Sequence, residues 1–380
     1  MAIPCSSFEE IDRAGEARTG RLTLPHGTVN TPAFMPVGTA GSVKALDPRD
    51  VVETGAEMVL ANTYHLWVRP GHQQIADLGG LHGFMNWTGP ILTDSGGFQI
   101  FSLKKFCKVS EEGCRFRSPL DGEWRFLSPE LAVEIQETLG VDVAMAFDEC
   151  IEWPADRERV ARSTERTTRW LKRCIAARKH PDQTAVFGIV QGGFYEDLRI
   201  QHAQEIRELD LNGFAIGGLS VGEPKDELLE MVEVTAPHLP RNKPRYLMGV
   251  GYPWDIVEAV TRGIDLFDCV LPTRSARFGG LFTSQGRVNI KHSRYKVDSE
   301  PLDPACSCYT CRSFSRAYLR HLFISGEALA PRLLTLHNLT FYQDLMKRLR
   351  EAISAGPESL ESLRKEAWKW ERRFGDKPPC

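Results

Sequence analysis

The strongest constraint on the fold is a series of eight short apolar runs, which end in Gly, Asp or Pro and alternate with longer stretches of helical periodicity. This alternation is typical of parallel strands joined by crossover helices. Because eight parallel strands close a (β/α)8 barrel, we predict an α/β TIM-barrel fold. The predicted strands are residues 31–39, 58–64, 90–97, 141–149, 185–193, 213–219, 245–251 and 266–271.

Helical segments and two hairpins account for most of the remaining chain. The predicted helices are residues 46–55, 128–139, 155–179, 195–209, 225–236 and 253–263, with a last helix from about residue 340 to 371. We expect residues 14–30 to form a hairpin that closes the barrel floor, and residues 114–130 to form a hairpin around an Asp-Gly turn. The predicted parts are a catalytic barrel with the N-terminal hairpin (1–280), a basic cysteine-containing subdomain (281–345) and a C-terminal helix and tail (346–380).

Composition narrows the class of protein. No apolar run approaches the roughly 20 residues that a bilayer-spanning helix needs, and the first 20 residues lack the basic-then-apolar pattern of a signal peptide. We therefore expect a cytoplasmic protein with no membrane segment. In such a chain the 10 cysteines are expected to be reduced thiols or metal ligands rather than disulfides.

Polar residues and glycines occur where the predicted strands end. Since the loops of a TIM barrel converge at the carboxyl ends of its strands, these residues should meet in one cavity. They are Asp94 and Ser95 after the third strand, Asp148 in the fourth, Gln191 in the fifth, Gly217 and Gly218 in the sixth, Met248 in the seventh and Asp268 in the eighth. Each Asp alone could be a helix cap or turn residue, but three at one barrel mouth favour a reactive site.

The same cavity could accommodate a flat ligand. Glycines in the stretches SGG, QGG and IGG allow close approach to backbone amides, although they could simply form tight turns. Phe98 and Met248 could supply a flat and a soft face, although both could equally be core residues.

A cluster of cysteines after the barrel predicts a metal site. Cys306, Cys308 and Cys311 are followed by His337, which gives three thiolates and one imidazole. This closed tetrahedral set suits one structural zinc ion. Surface thiols or a redox pair are the alternatives.

Positive charge is concentrated near this cluster. The formal net charge of the chain is −3, which argues against nonspecific coating of nucleic acid. From Arg274 to Arg320, however, nine Lys or Arg stand against three acidic residues. A polyanion could bind there through phosphate contacts, or the segment could be an ordinary solvated surface.

Several motifs together resemble one enzyme family, the tRNA-guanine transglycosylases, and in particular its bacterial queuine-pathway branch. The matching stretches run from residue 31 to about 340 in the family order. They are LTDSGGFQ, AFDEC, GIVQGG, FAIGGLSVGEPK, RYLMGVG, FDCVLPTR and the CxCxxC cluster with its His. The resemblance implies replacement of guanine at the anticodon wobble position of tRNA by preQ1, the aminomethyl deazaguanine precursor of queuosine. It also implies a homodimer.

The resemblance assigns expected roles to individual residues. Asp268 matches the nucleophile that attacks ribose C1′ and forms a covalent aspartyl-ribosyl intermediate, and Asp94 matches the general acid/base. The matches to base-binding groups are Asp148, Gln191, Gly218, the backbone carbonyl of Leu219 and the stacking pair Phe98 and Met248, with Ser95, Cys150 and Val221 bordering the same pocket. Arg274 and Arg277 match anticodon-loop contacts, and Lys291 in the same basic segment is a further expected tRNA contact.

Two features of the implied reaction bear on cofactors and selectivity. Exchange of one base for another needs no redox cofactor and no nucleotide cofactor, since a carboxylate can trap the oxocarbenium-like ribose as in retaining glycosidases. Eukaryotic members carry Gly where this chain has Val221, so we expect that the valine excludes the bulky base queuine and admits preQ1.

Two other functions are compatible with parts of the pattern. A TIM-barrel hydrolase of glycosides or nucleosides could use the same carboxylates, although the cysteine cluster beside a basic surface favours a large RNA substrate. A noncatalytic tRNA-binding subunit is the second alternative, against which the three carboxylates Asp94, Asp148 and Asp268 count.

Overall fold

The computed structural model describes residues 5–102 and 107–373. Its strands are β1 (Ser7–Ala14), β2 (Ala17–Leu24), β3 (Gly27–Thr31), β4 (Ala33–Met35), β5 (Val37–Gly38), β6 (Val59–Asn62), β7 (Ile91–Asp94), β8 (Cys107–Val109), β9 (Cys114–Arg117), β10 (Trp124–Leu127), β11 (Val143–Met145), β12 (Ala185–Val190), β13 (Gly213–Ile216), β14 (Arg245–Leu247), β15 (Leu266–Asp268), β16 (Gly280–Thr283) and β17 (Gly286–Asn289). Its helices are α1 (Pro48–Glu53), α2 (Thr63–Val68), α3 (His72–Asp77), α4 (Gly80–Met85), α5 (Gly97–Ser102), α6 (Pro129–Leu139), α7 (Arg157–Ala177), α8 (Glu196–Ile206), α9 (Lys225–Thr235), α10 (Pro253–Thr261), α11 (Leu271–Arg277), α12 (Tyr309–Ser313), α13 (Arg316–Ile324), α14 (Leu329–Ser354) and α15 (Pro357–Arg373). Single 3-10 turns occur at Ala236–His238 and Ser293–Val297.

The parallel strands close into the predicted barrel. Their order is β4, β15, β14, β13, β12, β11, β7, β6 and β5. The first predicted strand appears as two pieces, β4 and β5, on either side of Pro36. Because β4 pairs with β15 while β5 pairs with β6, this one segment joins the two edges of the sheet. The (β/α)8 prediction is therefore confirmed.

Residues of the barrel strands alternate between two buried environments. Inward-facing residues form a cluster inside the barrel that includes Met145, Phe187 and Tyr246. Their neighbours in the chain, such as Ala144 and Val186, belong to the larger cluster between the strands and the helices. Burial on both faces explains why the strands are apolar runs rather than alternating polar and apolar sequences.

The crossover helices begin and end at the signals that the sequence carries. Asp156 caps α7 by accepting a hydrogen bond from the Arg159 N–H, and Ser128 caps α6 in the same way. Gly140 ends α6 with a φ of +71°, a conformation that favours glycine. All six predicted crossover helices are present, with ends within about two to three residues of the expected ones.

The N-terminal segment covers the amino end of the barrel, as predicted, but as a three-stranded sheet of β1, β2 and β3 rather than a single hairpin. Leu22, Leu24 and Val29 pack into the interior cluster. Asp142, which is fully buried, holds the β2–β3 turn: it accepts hydrogen bonds from the His26 backbone and ring at 2.9 and 3.0 Å, and it lies 3.1 Å from the His82 ring.

The C-terminal part differs from the expectation. The single helix predicted from about residue 340 to 371 is wrong, because α14 starts at Leu329 and a break at Gly356 separates it from α15. Helix α14 spans both regions of the molecule, since Asn338 donates to the carbonyl of Gly280 and Gln343 donates to that of Phe34. The three-part domain division stays a prediction, and its boundary at residue 345 falls within α14. In the described part of the chain, no helix is both long and apolar enough to cross a membrane.

Candidate active site and metal centre

Asp268 is the last residue of β15 and lies at the carboxyl end of the barrel. Its Oδ1 accepts hydrogen bonds from the Tyr246 hydroxyl at 2.6 Å and from the Gly249 N–H at 2.8 Å. Burial raises the pKa of Asp268 above its usual value, and these two donors oppose the rise. Among the described residues none donates to Oδ2, so that oxygen is available to a ligand.

Asp94 ends β7 near Asp268. Its carboxylate accepts hydrogen bonds from the side-chain amide of Asn62 and from the backbone N–H groups of Thr63 and Gly96, the latter two at 3.1 Å. Burial, together with a smaller contribution from the negative charge of Asp268, raises the pKa of Asp94 to about 7 despite these donors. At neutral pH, Asp94 can therefore act both as a proton donor and as a proton acceptor.

Asp148 follows β11 and lies within hydrogen-bonding distance of two other predicted site residues, Gln191 and Ser95. Gln191 donates to its Oδ2 at 2.6 Å, and the Ser95 hydroxyl lies 3.4 Å from its Oδ1. Burial raises the pKa of Asp148 to about 6, against the lowering effect of both hydrogen bonds. This carboxylate, amide and hydroxyl can form hydrogen bonds with the polar edge of a planar base.

The glycine turn after β13 forms the wall beside Gln191. Gly218 has a φ of +65°, and a Cβ atom on it would lie 2.4 Å from the Gln191 Oε1. Cys150 borders the same turn: burial raises the pKa of its thiol to about 12, and the nearby backbone of Gly218 opposes this rise. From beneath, buried Arg199 donates to the carbonyls of Gly193 and Gly217 at 2.6 and 3.0 Å. Glycine is needed at positions 217 and 218 because a Cβ atom there would collide with the side chains of Ile189 and Gln191.

The next loop is organised by Glu223. Its carboxylate accepts hydrogen bonds from the backbone N–H groups of Ser220 and Val221, the latter at 2.8 Å. Since the N–H and C=O of a trans peptide point in opposite directions, the carbonyl of Leu219 points away from Glu223. Val221 is partly exposed on this loop.

The remaining predicted residues lie around the mouth. Phe98, in the first turn of α5, is 57 % exposed. Met248 follows β14 and packs against the interior cluster. Arg274 and Arg277 are exposed on α11, which begins three residues after Asp268.

Lys291 comes later in the chain than the two arginines. It is exposed, and its ammonium lies 5.3 Å from the centre of the Phe323 ring. Among the described residues, neither it nor Arg274 nor Arg277 forms an ion pair.

Sequence reasoning missed two residues that hold the carboxylates. Asn62 ends β6 and could have been found by extending the strand-end rule to the second strand. Tyr246 carried no such signal, because it stands within the apolar run of β14. Only the inward direction of its side chain brings its hydroxyl to Asp268.

The predicted metal ligands come together in the structure. The ligand atoms of Cys306, Cys308, Cys311 and His337 all lie within 4.8 Å of one another. His337 directs Nδ1 at the sulfurs of Cys311 and Cys308, at 3.3 and 3.7 Å, while its Nε2 lies 2.8 Å from the Phe282 carbonyl oxygen. A backbone acceptor on the second ring nitrogen fixes the tautomer that a metal-binding histidine needs. The group therefore fits a metal ion.

Comparisons of this chain with a family model and with known proteins all point to the same family. A family model described as queuine tRNA-ribosyltransferase matches residues 12–370. The queuine tRNA-ribosyltransferase of Acetivibrio thermocellus is 57 % identical over 337 residues, which cover 89 % of this chain and 90 % of the relative. That of Francisella tularensis subsp. novicida is 53 % identical over 350 residues, covering 92 % and 95 % respectively.

Proposed function

This chain belongs to the queuine tRNA-ribosyltransferase family, and we propose that it replaces guanine at the wobble position of tRNA by preQ1 through a covalent aspartyl-ribosyl intermediate. The observation that carries the proposal is the pair of carboxylates Asp268 and Asp94 at the barrel mouth. Asp268 has one oxygen held by two donors and one oxygen open to the ribose. The anticodon loop suits such a site because its bases unstack at small cost.

The first chemical step makes one bond and breaks another. Oδ2 of Asp268 attacks C1′ of the ribose, and the bond between C1′ and the purine nitrogen breaks with its electron pair on the purine. Asp94 gives a proton to the departing guanine, and in the second half it takes a proton from incoming preQ1. The incoming base then displaces Asp268 from C1′, which restores the free carboxylate.

We expect the pKa of Asp94 to control the pH dependence of the first step. Above about pH 7 Asp94 loses the proton that the departing guanine needs, so single-turnover adduct formation should slow about tenfold per pH unit. Asp94→Asn should form adduct slowly and without this dependence. Quenched denaturing gels across the pH range would measure both rates. An unchanged pH profile in Asp94→Asn would assign the proton transfer to another group.

We propose that Asp148 and its neighbours recognise the base. Asp148 would accept hydrogen bonds from the N–H groups of the base. Gln191 and the Gly218 N–H would donate hydrogen bonds to the carbonyl oxygen of the base. The Leu219 carbonyl would accept from the aminomethyl cation of preQ1. The two hydrogen bonds that Glu223 accepts from the next residues support this, because they turn that carbonyl away from Glu223.

The rest of the pocket is proposed to enclose the base. Phe98 and Met248 would stack on its two faces, since aromatic and thioether groups pack well against a flat ring. Ser95 and Cys150 would border its edges, as their contacts with Asp148 and Gly218 suggest. Val221 would close the direction in which a substituent on the deazapurine extends.

We expect Val221 to exclude queuine. The wild type should use preQ1 well and queuine poorly, and Val221→Gly should improve queuine incorporation by roughly 10- to 100-fold, because overpacking costs about 1–3 kcal/mol. The substitution keeps the backbone N–H that Glu223 accepts, so the loop should retain its shape. Incorporation of each base into one unmodified tRNA measures the ratio. Equal use of both bases by the wild type would contradict the pocket argument alone.

The tRNA is proposed to bind through phosphates along the basic segment after β15. Arg274, Arg277 and Lys291 are exposed and without ion pairs among the described residues. Affinity for tRNA should fall as salt rises, and Arg274→Ala or Lys291→Ala should each lower the salt slope by about one. Filter binding over a salt series gives the slopes. Salt-independent binding would exclude this surface as the phosphate contact.

The remaining proposals concern the metal, the partner and the location. One structural zinc ion would be held by Cys306, Cys308, Cys311 and His337, where it would brace the subdomain rather than take part in the reaction. Base exchange needs no electron acceptor and no nucleotide cofactor. We also propose a cytoplasmic homodimer, which sedimentation of the purified protein would test.

Incorporation of labelled guanine into unmodified tRNA tests the function directly. A transglycosylase exchanges guanine for guanine, whereas a hydrolase would release guanine and leave an abasic tRNA. A noncatalytic binding subunit would do neither. Release of guanine without incorporation would therefore overturn the proposal.

A further inference from the structure

The sheet that follows β7 in the chain has one face that is exposed in the described part of the structure. Strands β8, β9 and β10 form an antiparallel sheet in which Lys108 pairs with Arg115, and Arg115 with Phe126. Arg117 pairs with Trp124 in the same register, so all five side chains project from one face. All five are exposed, including Trp124 at 50 % and Phe126 at 42 %. We call this group the outer sheet face.

The opposite face is buried against the active-site region. Phe116 packs on Tyr64 of α2, with ring centres 5.4 Å apart. Leu127 lies 3.5 Å from where a Cβ atom of Gly96 would stand, and Gly96 donates to Asp94. The outer sheet face is therefore fixed beside the barrel mouth and directed away from the barrel.

Charge on this sheet is segregated. Strands β8, β9 and β10 contain no acidic residue, and the acidic residues of the segment lie in its two turns. At the turns, Glu111 is paired with Arg169, and Asp121 with Arg125 on the buried face. Among the described residues neither Lys108 nor Arg115 forms an ion pair. Arg115 instead lies over the Trp124 ring at 5.1 Å.

Cations interleaved with exposed aromatic rings match one kind of partner. Single-stranded RNA presents flat bases that stack on aromatic side chains, and phosphates that bind Lys and Arg. Residues two apart on a strand are about 7 Å apart, and neighbouring strands are about 4.8 Å apart. The outer sheet face thus has room for one or two nucleotides with their phosphates.

We propose that the outer sheet face binds an unpaired nucleotide of the tRNA anticodon loop, with the base stacked on Trp124 or Phe126 and a phosphate on Lys108 or Arg115. This inference rests on the proposed function, because it takes the wobble ribose to lie at Asp268. It adds a contact on the side of the mouth formed by the inserted sheet. A loop held there would keep its neighbouring nucleotides apart while the wobble base enters the barrel.

The test measures affinity for an anticodon stem-loop RNA by fluorescence anisotropy. Trp124→Ala should weaken binding by about 5- to 100-fold, as expected for loss of base stacking, and Trp124→Phe should recover most of it. Phe126→Ala should also weaken binding. Phe84→Ala is the matched control, since Phe84 is 41 % exposed on α4, whose His82 contacts Asp142 at the barrel floor.

Guanine exchange separates this inference from the proposed function. In Trp124→Ala the KM for the stem-loop should rise while kcat and the KM for free guanine stay near wild type. Wild-type RNA affinity in both Trp124→Ala and Phe126→Ala, together with normal exchange, would overturn the inference alone. A change in oligomeric state without loss of RNA affinity would also overturn it, because the face would then join copies of the chain. Failure of the unaltered protein to exchange guanine would overturn both.

Discussion

Asp268→Asn should bind tRNA with nearly unchanged affinity and yet form no covalent adduct that survives denaturation. The amide has the same shape as the carboxylate, so Tyr246 and Gly249 can keep a hydrogen bond to its oxygen. An amide is a poor nucleophile toward C1′, and loss of a catalytic nucleophile typically costs at least about 1,000-fold in rate. Labelled-guanine exchange should fall by at least that factor.

A graded pair of variants makes this prediction specific. Tyr246→Phe keeps the nucleophile and removes the hydroxyl that opposes the raised pKa of Asp268. It should still form adduct, at a rate about 10- to 100-fold lower, with the largest loss at low pH where Asp268 becomes protonated. Mass spectrometry must confirm that the amide introduced by Asp268→Asn has not hydrolysed back to the carboxylate. Wild-type exchange by an intact Asp268→Asn protein would remove Asp268 from the mechanism.

The barrel could be predicted because its signals are local. Each strand is an apolar run that ends at a polar residue or glycine, and each crossover helix has its own cap, such as Asp156 before α7. The strand-end rule then placed Asp94, Asp148 and Asp268 at one mouth before any tertiary contact was known. The structure brings Asp94 and Asp268 together, and it joins Asp148 to Gln191.

What escaped prediction depends on direction and on distant partners. Tyr246 matters because it faces the interior, and an apolar strand buried on both faces does not reveal which residues point inward. Asp142 holds two histidines that are more than 50 residues away in sequence, at positions 26 and 82. The predicted helix from about residue 340 to 371 starts too late and runs through the break at Gly356 that separates α14 from α15.

Loss of the metal should have the largest structural effect. Cys308 and Cys311 lie in a small apolar cluster that also contains Leu319 and Leu334, and Cys306 and His337 lie beside these thiols. A cluster of this size stabilises a subdomain weakly, whereas a structural zinc ion contributes about 10–16 kcal/mol of binding free energy in small domains. Cys308→Ser should therefore reduce the zinc content from one per chain to nearly none.

The consequences should be confined to the region that the proposed zinc ion would brace. His337 lies in α14, and the same helix contacts barrel strand β4 through Gln343, so the helix should remain while residues 290–315 become sensitive to protease. Affinity for tRNA should fall, because the basic segment loses its fixed shape, whereas adduct formation at saturating tRNA should persist. Cys107→Ser is the control, since Cys107 is outside the cluster and should leave the zinc content at one. Elemental analysis of protein purified without chelator decides the matter: a folded chain without zinc would mean that the three thiols and His337 hold their positions by packing alone.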